Sequence, residues 1–149
     1  MVYSQADSLL TLTLKLQSRI GSPEIQRLHQ FQAEINNDLM VLAELDNADT
    51  SLLRYRELNN GLGQCMQTCN NFHEEAFMLE SSLREIIEQS GEKNADLKML
   101  EDRLVYETEN YNELFVRTDS SLKLIKLQAG IFYELKPEID KIKQQIQIQ

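Results

Sequence analysis

Length, composition and charge exclude several classes of protein for this chain. Its 149 residues suit one ordinary domain, and a hydrophobic content of 42% excludes an intrinsically disordered chain. Five Gly, two Pro and no Trp, among many Leu, Gln, Glu and Lys at helical spacing, indicate an all-α protein. Because 24 acidic side chains stand against 15 basic ones, the surface repels phosphate backbones, and we expect no nucleic-acid partner.

The first predicted helix extends from Tyr3 to Ile20. Its apolar residues return on one face, at Leu9, Leu12, Leu16 and Ile20. A helix stop and a helix start follow directly: Gly21 suits the left-handed position after a helix, Ser22 suits the N-cap, and Pro23 suits the first helical position. We therefore expect a second helix that begins at Pro23.

The second predicted helix keeps a seven-residue apolar seam. The seam consists of Ile25, Leu28, Ile35, Leu39 and Leu42. It loses its apolar residues in the polar run from Asp46 to Ser51, where we expect a kink or fraying before Leu52.

The strongest turn signal is the Asn-Asn-Gly-Leu-Gly run at residues 59–63, because Asn and Gly tolerate positive φ better than other residues. We predict a chain reversal there. The third helix then carries the most regular seam, widened by Phe77, and ends at Gly91. The seam residues are Leu62, Cys65, Cys69, Phe72, Ala76, Leu79, Leu83 and Ile86.

The last predicted helix is opened by Asn94 and Asp96 and continues to the end of the chain. Its seven-residue seam consists of Leu97, Leu104, Tyr111, Thr118, Ile125, Phe132, Ile139 and Ile146. At 1.5 Å per residue, the 56 residues 94–149 span about 84 Å, twice what residues 64–90 of the third helix cover. We therefore predict an elongated antiparallel bundle of three to four long helices in one domain, residues 1–149. From about Ile125 onward, the last helix needs cover from the first helix or from an element outside this chain.

Two features weaken the last helix near its end. Pro137 removes a backbone donor and clashes with the preceding turn, at a cost of roughly 3 kcal/mol in a helix interior. Gly130 adds a flexible position shortly before it. The sequence leaves open whether this segment is a hinge, a docking surface or simply a bent helix end.

No pattern in the sequence predicts catalysis. Phosphate-binding loops, nucleophile elbows and HExxH motifs are absent, so we expect no enzyme and no cofactor. Cys65, Cys69 and His73 share one helix face, but eight helical residues spread them over roughly 12 Å, whereas zinc needs ligands that converge. We therefore expect no metal site. Two cysteines without a signal peptide or an apolar span favour a cytoplasmic protein with no transmembrane segment.

Residues 124–139 carry a resemblance to a known family. Their sequence, Leu-Ile-Lys-Leu-Gln-Ala-Gly-Ile-Phe-Tyr-Glu-Leu-Lys-Pro-Glu-Ile, is similar to the last helix of the V-shaped domain of the ALIX and PalA endosomal adaptors. That family has a Glu-Gly-x-x-Phe-Tyr-x-x-Leu-like signature there. In this chain Ala129 replaces the acidic residue, and Leu135 lies one place early. The chain is shorter than a two-armed V domain, so the resemblance implies a single arm or a fragment of a larger protein.

The resemblance implies a non-enzymatic adaptor. Phe132, Tyr133, Leu135 and Ile139 would bind a short Tyr-Pro-x-Leu type peptide in an endosome-associated complex. Some V domains of the family also bind ubiquitin.

An alternative follows from the apolar seams alone. The chain would be a structural coiled-coil subunit of a homo- or hetero-oligomeric assembly, of the tether or kinetochore type, with Phe132 and Ile139 buried against partner helices. The exposure of Phe132 separates the two interpretations: an exposed ring favours peptide recognition, and a buried ring favours scaffolding.

Overall fold

A computed structural model describes residues 1–45 and 49–148 of the chain. These residues form four helices, which confirms the predicted all-α class: α1 (Val2–Ile20), α2 (Pro23–Val41), α3 (Thr50–Ser90) and α4 (Leu97–Ile148). The backbone N–H of Met99 donates to Asp96 Oδ1 at 3.1 Å, so Asp96 caps α4 as expected.

The chain divides into two compact units. Unit 1 contains Met1–Ser22 and Cys69–Ser120, and unit 2 contains Pro23–Thr68 and Ser121–Gln149. Each unit is therefore a bundle of three helical segments: one 19-residue helix, one part of α3 and one part of α4.

In unit 1, α1 packs on the C-terminal part of α3 and the N-terminal part of α4. Gln17 Nε2 donates to the Ala76 carbonyl at 3.3 Å, and Arg19 pairs with Asp119 at 3.0 Å. The core is mainly aliphatic and includes the last five residues of the predicted seam of the third helix. Its members are Val2, Ala6, Leu9, Leu10, Leu16, Ile20, Phe72, Ala76, Leu79, Leu83, Ile86, Leu100, Leu104, Tyr111 and Leu114. Phe77, predicted to widen the seam, is instead 65% exposed.

In unit 2, α2 takes the place that α1 occupies in unit 1. Asn59 Nδ2 of α3 donates to Asn36 Oδ1 of α2 at 3.2 Å, and Phe31 of α2 stacks on Phe132 of α4. The buried hydrophobic side chains described in this unit are Leu28, Phe31, Ile35, Leu42, Leu52, Tyr55, Leu58, Leu62, Cys65, Ile125, Phe132, Leu135 and Ile139.

The break between α1 and α2 lies where the sequence predicts it, but its geometry differs. Gly21 has φ −89° and ψ 18°, and its N–H donates to the Gln17 carbonyl at 3.0 Å, so the helix ends without a left-handed residue. The buried Oγ of Ser22 has no hydrogen-bond partner, so the expected side-chain cap is wrong. The second helix does begin at Pro23.

The predicted turn at residues 59–63 is wrong, because α3 is helical throughout this run. A Cβ on Gly61 would lie 2.5 Å from Nε2 of Gln128, and a Cβ on Gly63 would lie 3.3 Å from Nε2 of Gln32. These glycines therefore make room for glutamines of the adjacent helices, and neither has a positive φ.

The chain reversal lies earlier, between α2 and α3. Asp49 Oδ1 accepts a hydrogen bond from the backbone N–H of Ser51 at 2.8 Å and so caps the start of α3. The expected kink falls partly on residues 46–48, which lie outside the described residues.

The predicted overhang of the last helix is also wrong. Because α3 has 41 residues rather than the predicted 27, its N-terminal part and α2 together cover the second part of α4. Ile125, Phe132 and Ile139 are consequently buried within unit 2. Pro137 lies inside α4, whose helical assignment continues through it. Leu97, the first predicted seam position, is 54% exposed at the start of the helix.

Candidate interaction surfaces

Three of the four side chains predicted to bind a peptide lie inside unit 2. Phe132 is only 3% exposed, and its ring stacks on Phe31 with centroids 4.5 Å apart. Tyr55 closes the other side of this aromatic cluster, with its ring centroid 6.5 Å from that of Phe132. Leu135 and Ile139 are buried on the same helix face. The ring of Phe132 is therefore not presented to solvent.

Tyr133 is the predicted binding residue that reaches the surface. Its side chain is 60% exposed, and its ring contacts the edge of Phe31 at a centroid distance of 5.5 Å. The structure thus places one exposed aromatic side chain on the outside of residues 124–139, the segment that carries the family resemblance.

A buried charge network lies beside the aromatic cluster of unit 2. Asp38 is 2% exposed and accepts hydrogen bonds from Tyr55 Oη at 2.6 Å, Lys136 Nζ at 2.7 Å and Lys143 Nζ at 2.6 Å. Lys136 also contacts Glu34 and Asp140. One carboxylate therefore connects all three helical segments of the unit.

Burial alone raises the pKa of Asp38, but the hydrogen bonds from Lys136, Lys143 and Tyr55 outweigh it and hold the pKa below its usual value. Burial, and secondarily the bond to Asp38, raises the pKa of the Tyr55 phenol well above its ordinary range. Burial lowers the pKa of Lys136, but its carboxylate partners outweigh this and the pKa is raised. Because these shifts keep Asp38 and Lys136 charged and Tyr55 neutral at neutral pH, the network is suited to holding helices together rather than to proton transfer.

Sequence reasoning missed Asp38, although a signal was present. The buried positions of α2 recur three and four residues apart, as Leu28, Phe31, Ile35, Asp38 and Leu42. An acidic residue that continues such a spacing indicates a buried, paired carboxylate.

The other surface of interest is a groove in unit 1 between α3 and α4, which we call the α3–α4 groove. It encloses about 440 Å³, and α1 contributes none of its lining residues. Its apolar lining consists of Met78, Leu79, Tyr106 and Leu114. Met78 is 70% exposed and Tyr106 is 62% exposed, so two large side chains of the groove face solvent.

The charges around the α3–α4 groove are predominantly negative. Glu75, Glu107 and Glu113 line it together with one cation, Arg117. Arg117 Nη1 donates to Glu75 Oε1 at 3.2 Å, and Nη2 contacts the other oxygen of the same carboxylate. This hydrogen bonding raises the pKa of Arg117. With Arg117 matched by Glu75, the remaining charges of the lining are those of Glu107 and Glu113.

A shallow second cavity lies on the surface of α4 near the start of that helix. Its volume is about 490 Å³, and it shares Tyr106 with the α3–α4 groove. Met99 contributes its apolar lining, and its cations are also paired: Arg103 lies 3.5 Å from Glu85, and Lys98 lies 3.6 Å from Asp102. The exposed apolar residues Met99 and Tyr106 are seven residues apart and therefore lie on one face of α4. This spacing is a weak sequence signal for the surface, since it involves only two residues.

Cys65 and Cys69 are thiols buried in the α3 seam, and Cys65 Sγ donates to Gln128 Oε1 at 3.0 Å. Burial raises the pKa of the Cys65 thiol and so disfavours the thiolate. Within residues 1–45 and 49–148, no group of three or more His, Cys, Asp and Glu side chains is arranged to hold a metal ion.

Within the part of the chain that the structure describes, no helix combines the length and apolar character needed to cross a membrane. No family model, no curated protein and no solved structure matches this chain.

Proposed function

We propose that this chain is a non-enzymatic scaffold domain that binds partner proteins by packing an exposed helix surface against partner helices. The observation that carries the proposal is the α3–α4 groove, where Met78 and Tyr106 face solvent although the core of unit 1 is already closed.

The composition of this surface supports a protein partner. Beside the groove, Phe77 and Val105 neighbour Met78 and Tyr106 in sequence and are also more than half exposed, although neither lines the groove itself. Single exposed apolar residues are ordinary, but clusters of large ones mark interaction sites, and Tyr, Phe and Met are enriched at protein interfaces.

The burial of Phe132 within unit 2 argues against peptide recognition through its ring. It also removes Phe132 and Ile139 from the partner-helix contact expected of them in a coiled-coil subunit, so the scaffold proposal rests on the α3–α4 groove instead. An anchor for an extended peptide must offer its ring to the peptide, whereas this ring is covered by Phe31 and Tyr55. The two buried cysteines Cys65 and Cys69 fit a reducing compartment, and we place the proposed function in the cytoplasm.

Site-specific photocrosslinking tests the scaffold proposal. A photoreactive amino acid replaces Tyr106 in cells that naturally express the chain, and matched substitutions replace Tyr3 and Met40, which are equally exposed but lie outside the α3–α4 groove. We expect stoichiometric crosslinks from position 106 to helical segments of a small set of proteins. Equal crosslinking from all three positions, or none from position 106, contradicts the proposal.

A second candidate is recognition of a Tyr-Pro-x-Leu type peptide, favoured by the exposed ring of Tyr133, which packs edge-on against Phe31, and by the family resemblance of residues 124–139. Under this candidate the chain works in an endosomal sorting complex, and ubiquitin is a further ligand. Titration of such a peptide against wild type and Tyr133→Asp tests it, because this exposed position can change without opening the core. A wild-type chain that does not bind, or a variant that binds equally well, ends this candidate.

A further inference from the structure

We propose that the α3–α4 groove binds one amphipathic helix of a partner protein, with aliphatic residues along its inner face and Lys or Arg along its flanks. This inference deepens the scaffold function proposed above and rests on it.

The dimensions of the groove suit a helix. From Met99 to Arg117, the residues that line the α3–α4 groove and the shallow cavity beside it follow α4 for 18 residues, or about 27 Å, and Tyr106 borders both. An occupant of about five helical turns covers this length. Unit 1 has three helical segments, and a fourth helix between α3 and α4 would complete a four-helix arrangement, in which neighbouring axes lie about 8–10 Å apart.

The apolar lining provides the contact for the inner face of such a helix. Leu79 and Leu114 are buried at the floor, and the exposed Met78 and Tyr106 rise from opposite walls. A thioether side chain adapts to irregular aliphatic partners, and Tyr supplies a large contact area at low entropic cost. Two walls that each carry one large side chain fit an aliphatic ridge between them.

The charge of the groove selects basic flanks. Glu107 and Glu113 both line the groove and are six residues, or about 9 Å, apart along α4, so they lie within reach of cations placed one to two turns apart on the flanks of a partner helix. The surrounding unit has the same sign: unit 1 carries 14 acidic and 7 basic side chains, a net charge of −7, whereas unit 2 carries 10 and 8, a net charge of −2. A second copy of this chain, with its own net charge of −9, is disfavoured by repulsion.

Two synthetic peptides test the proposal on the full chain. Both have three heptads with Leu at positions a and d, and one has Lys at e and g where its twin has Glu. Fluorescence anisotropy at low and at physiological salt gives the affinities. We expect the Lys peptide to bind at least tenfold more tightly than the Glu peptide, and added salt to reduce this preference.

A charge-matched pair of variants locates the binding. The double variant Glu107→Lys with Glu113→Lys reverses the sign of these two charges in the groove. The control, Glu44→Lys with Glu57→Lys, changes the net charge by the same amount at exposed positions of unit 2. We expect the affinity of the groove variant for the Lys peptide to fall at least tenfold, and we expect this variant to bind the Glu peptide more tightly than the Lys peptide. The control should keep its preference within about twofold, and circular dichroism verifies that both variants fold. Equal losses in the two variants would reduce the effect to net charge and overturn the proposal.

The peptide and crosslinking experiments fail in distinguishable ways. If position 106 crosslinks to partner helices but the Lys peptide shows no preference over its twin, the basic-helix inference is overturned and the scaffold function stands. If position 106 gives no specific crosslinks, the scaffold function fails, and the inference fails with it.

Discussion

Unit 1 and unit 2 repeat one arrangement of three helical segments, yet their interiors and surfaces differ. Unit 1 buries a mainly aliphatic core and leaves Met78 and Tyr106 on its outside. Unit 2 buries an aromatic cluster around Phe132 together with the paired charges around Asp38. An aliphatic core is tolerant of repacking, whereas a buried charge network requires one helix register. The packing of α3 and α4 is therefore more strictly specified in unit 2 than in unit 1.

The largest expected effect comes from removing the central ring of unit 2. Phe132→Ala should destabilise the chain by about 4 kcal/mol, because it opens a cavity between Phe31 and Tyr55. Leu83→Ala, at a fully buried position of unit 1, should cost about 3 kcal/mol. Hydrogen exchange should show the greater loss of protection in α2 for the first variant and in α1 for the second. Equal losses in both helices for both variants would show that the two units do not differ in local stability.

The next effect isolates the charge network. Asp38→Ala leaves two lysine ammonium groups without their buried carboxylate and should cost about 3 kcal/mol, near the lower end for broken buried pairs because both lysines are partly exposed. The exposed Asp7→Ala in unit 1 is the control and should change stability by less than about 0.5 kcal/mol. Urea denaturation measures both values. Similar results for the two variants would mean that the network contributes nothing beyond an exposed carboxylate.

A pH series tests the same network by comparing wild type with Asp38→Asn, which has no carboxyl group to titrate at this position. The pKa of Asp38 is lower in the folded state than the ordinary value of 3.8, so the unfolded state binds the proton more readily. Asp38 therefore contributes its stabilisation above about pH 4, and this contribution is lost as the pH falls through the folded-state pKa. Acid denaturation of wild type and Asp38→Asn should show the gap between them narrowing at low pH. A gap that stays constant from neutral pH to acid contradicts the depressed pKa.

The smallest effect concerns two helical glycines of unit 2. Gly130→Ala meets no atom within 4 Å and should stabilise the chain by about 0.5–1 kcal/mol through helix propensity. Gly61→Ala gains the same propensity but places its Cβ 2.5 Å from Gln128 Nε2, so the side chain must move. Thermal denaturation should therefore raise Tm for Gly130→Ala more than for Gly61→Ala. Equal increases would show that the close approach of Gln128 has no energetic consequence.

The error at Gly61 and Gly63 explains most of the difference between the predicted and observed architecture. Local conformational preference alone favours a turn there, since both glycines and their asparagine neighbours tolerate positive φ. In the folded chain these glycines instead admit Gln128 and Gln32, partners from distant parts of the sequence. With a turn at residues 59–63, the predicted third helix is too short, and the predicted overhang of the last helix is a consequence of that length.

The candidate sites also depend on contacts between residues that are distant in the sequence. Periodicity placed Phe132 on a helix seam, but whether a seam residue faces a neighbouring helix or an open groove depends on which helices lie beside it. Tyr106 was not singled out, because its apolar side chain lies off the main seam and only the packing of α3 on α4 makes it part of a groove.

By itself, the sequence determined the all-α class, the start of the second helix at Pro23, and the buried faces of α3 and of most of α4, because these follow from spacing along one helix. Only the tertiary structure decided that α2 covers the end of α4, that Asp38 is buried between two lysines, and that Met78 and Tyr106 line one groove. The physical reason is that a helical repeat specifies which side chains leave water, whereas their partners are set by contacts between residues far apart in the chain.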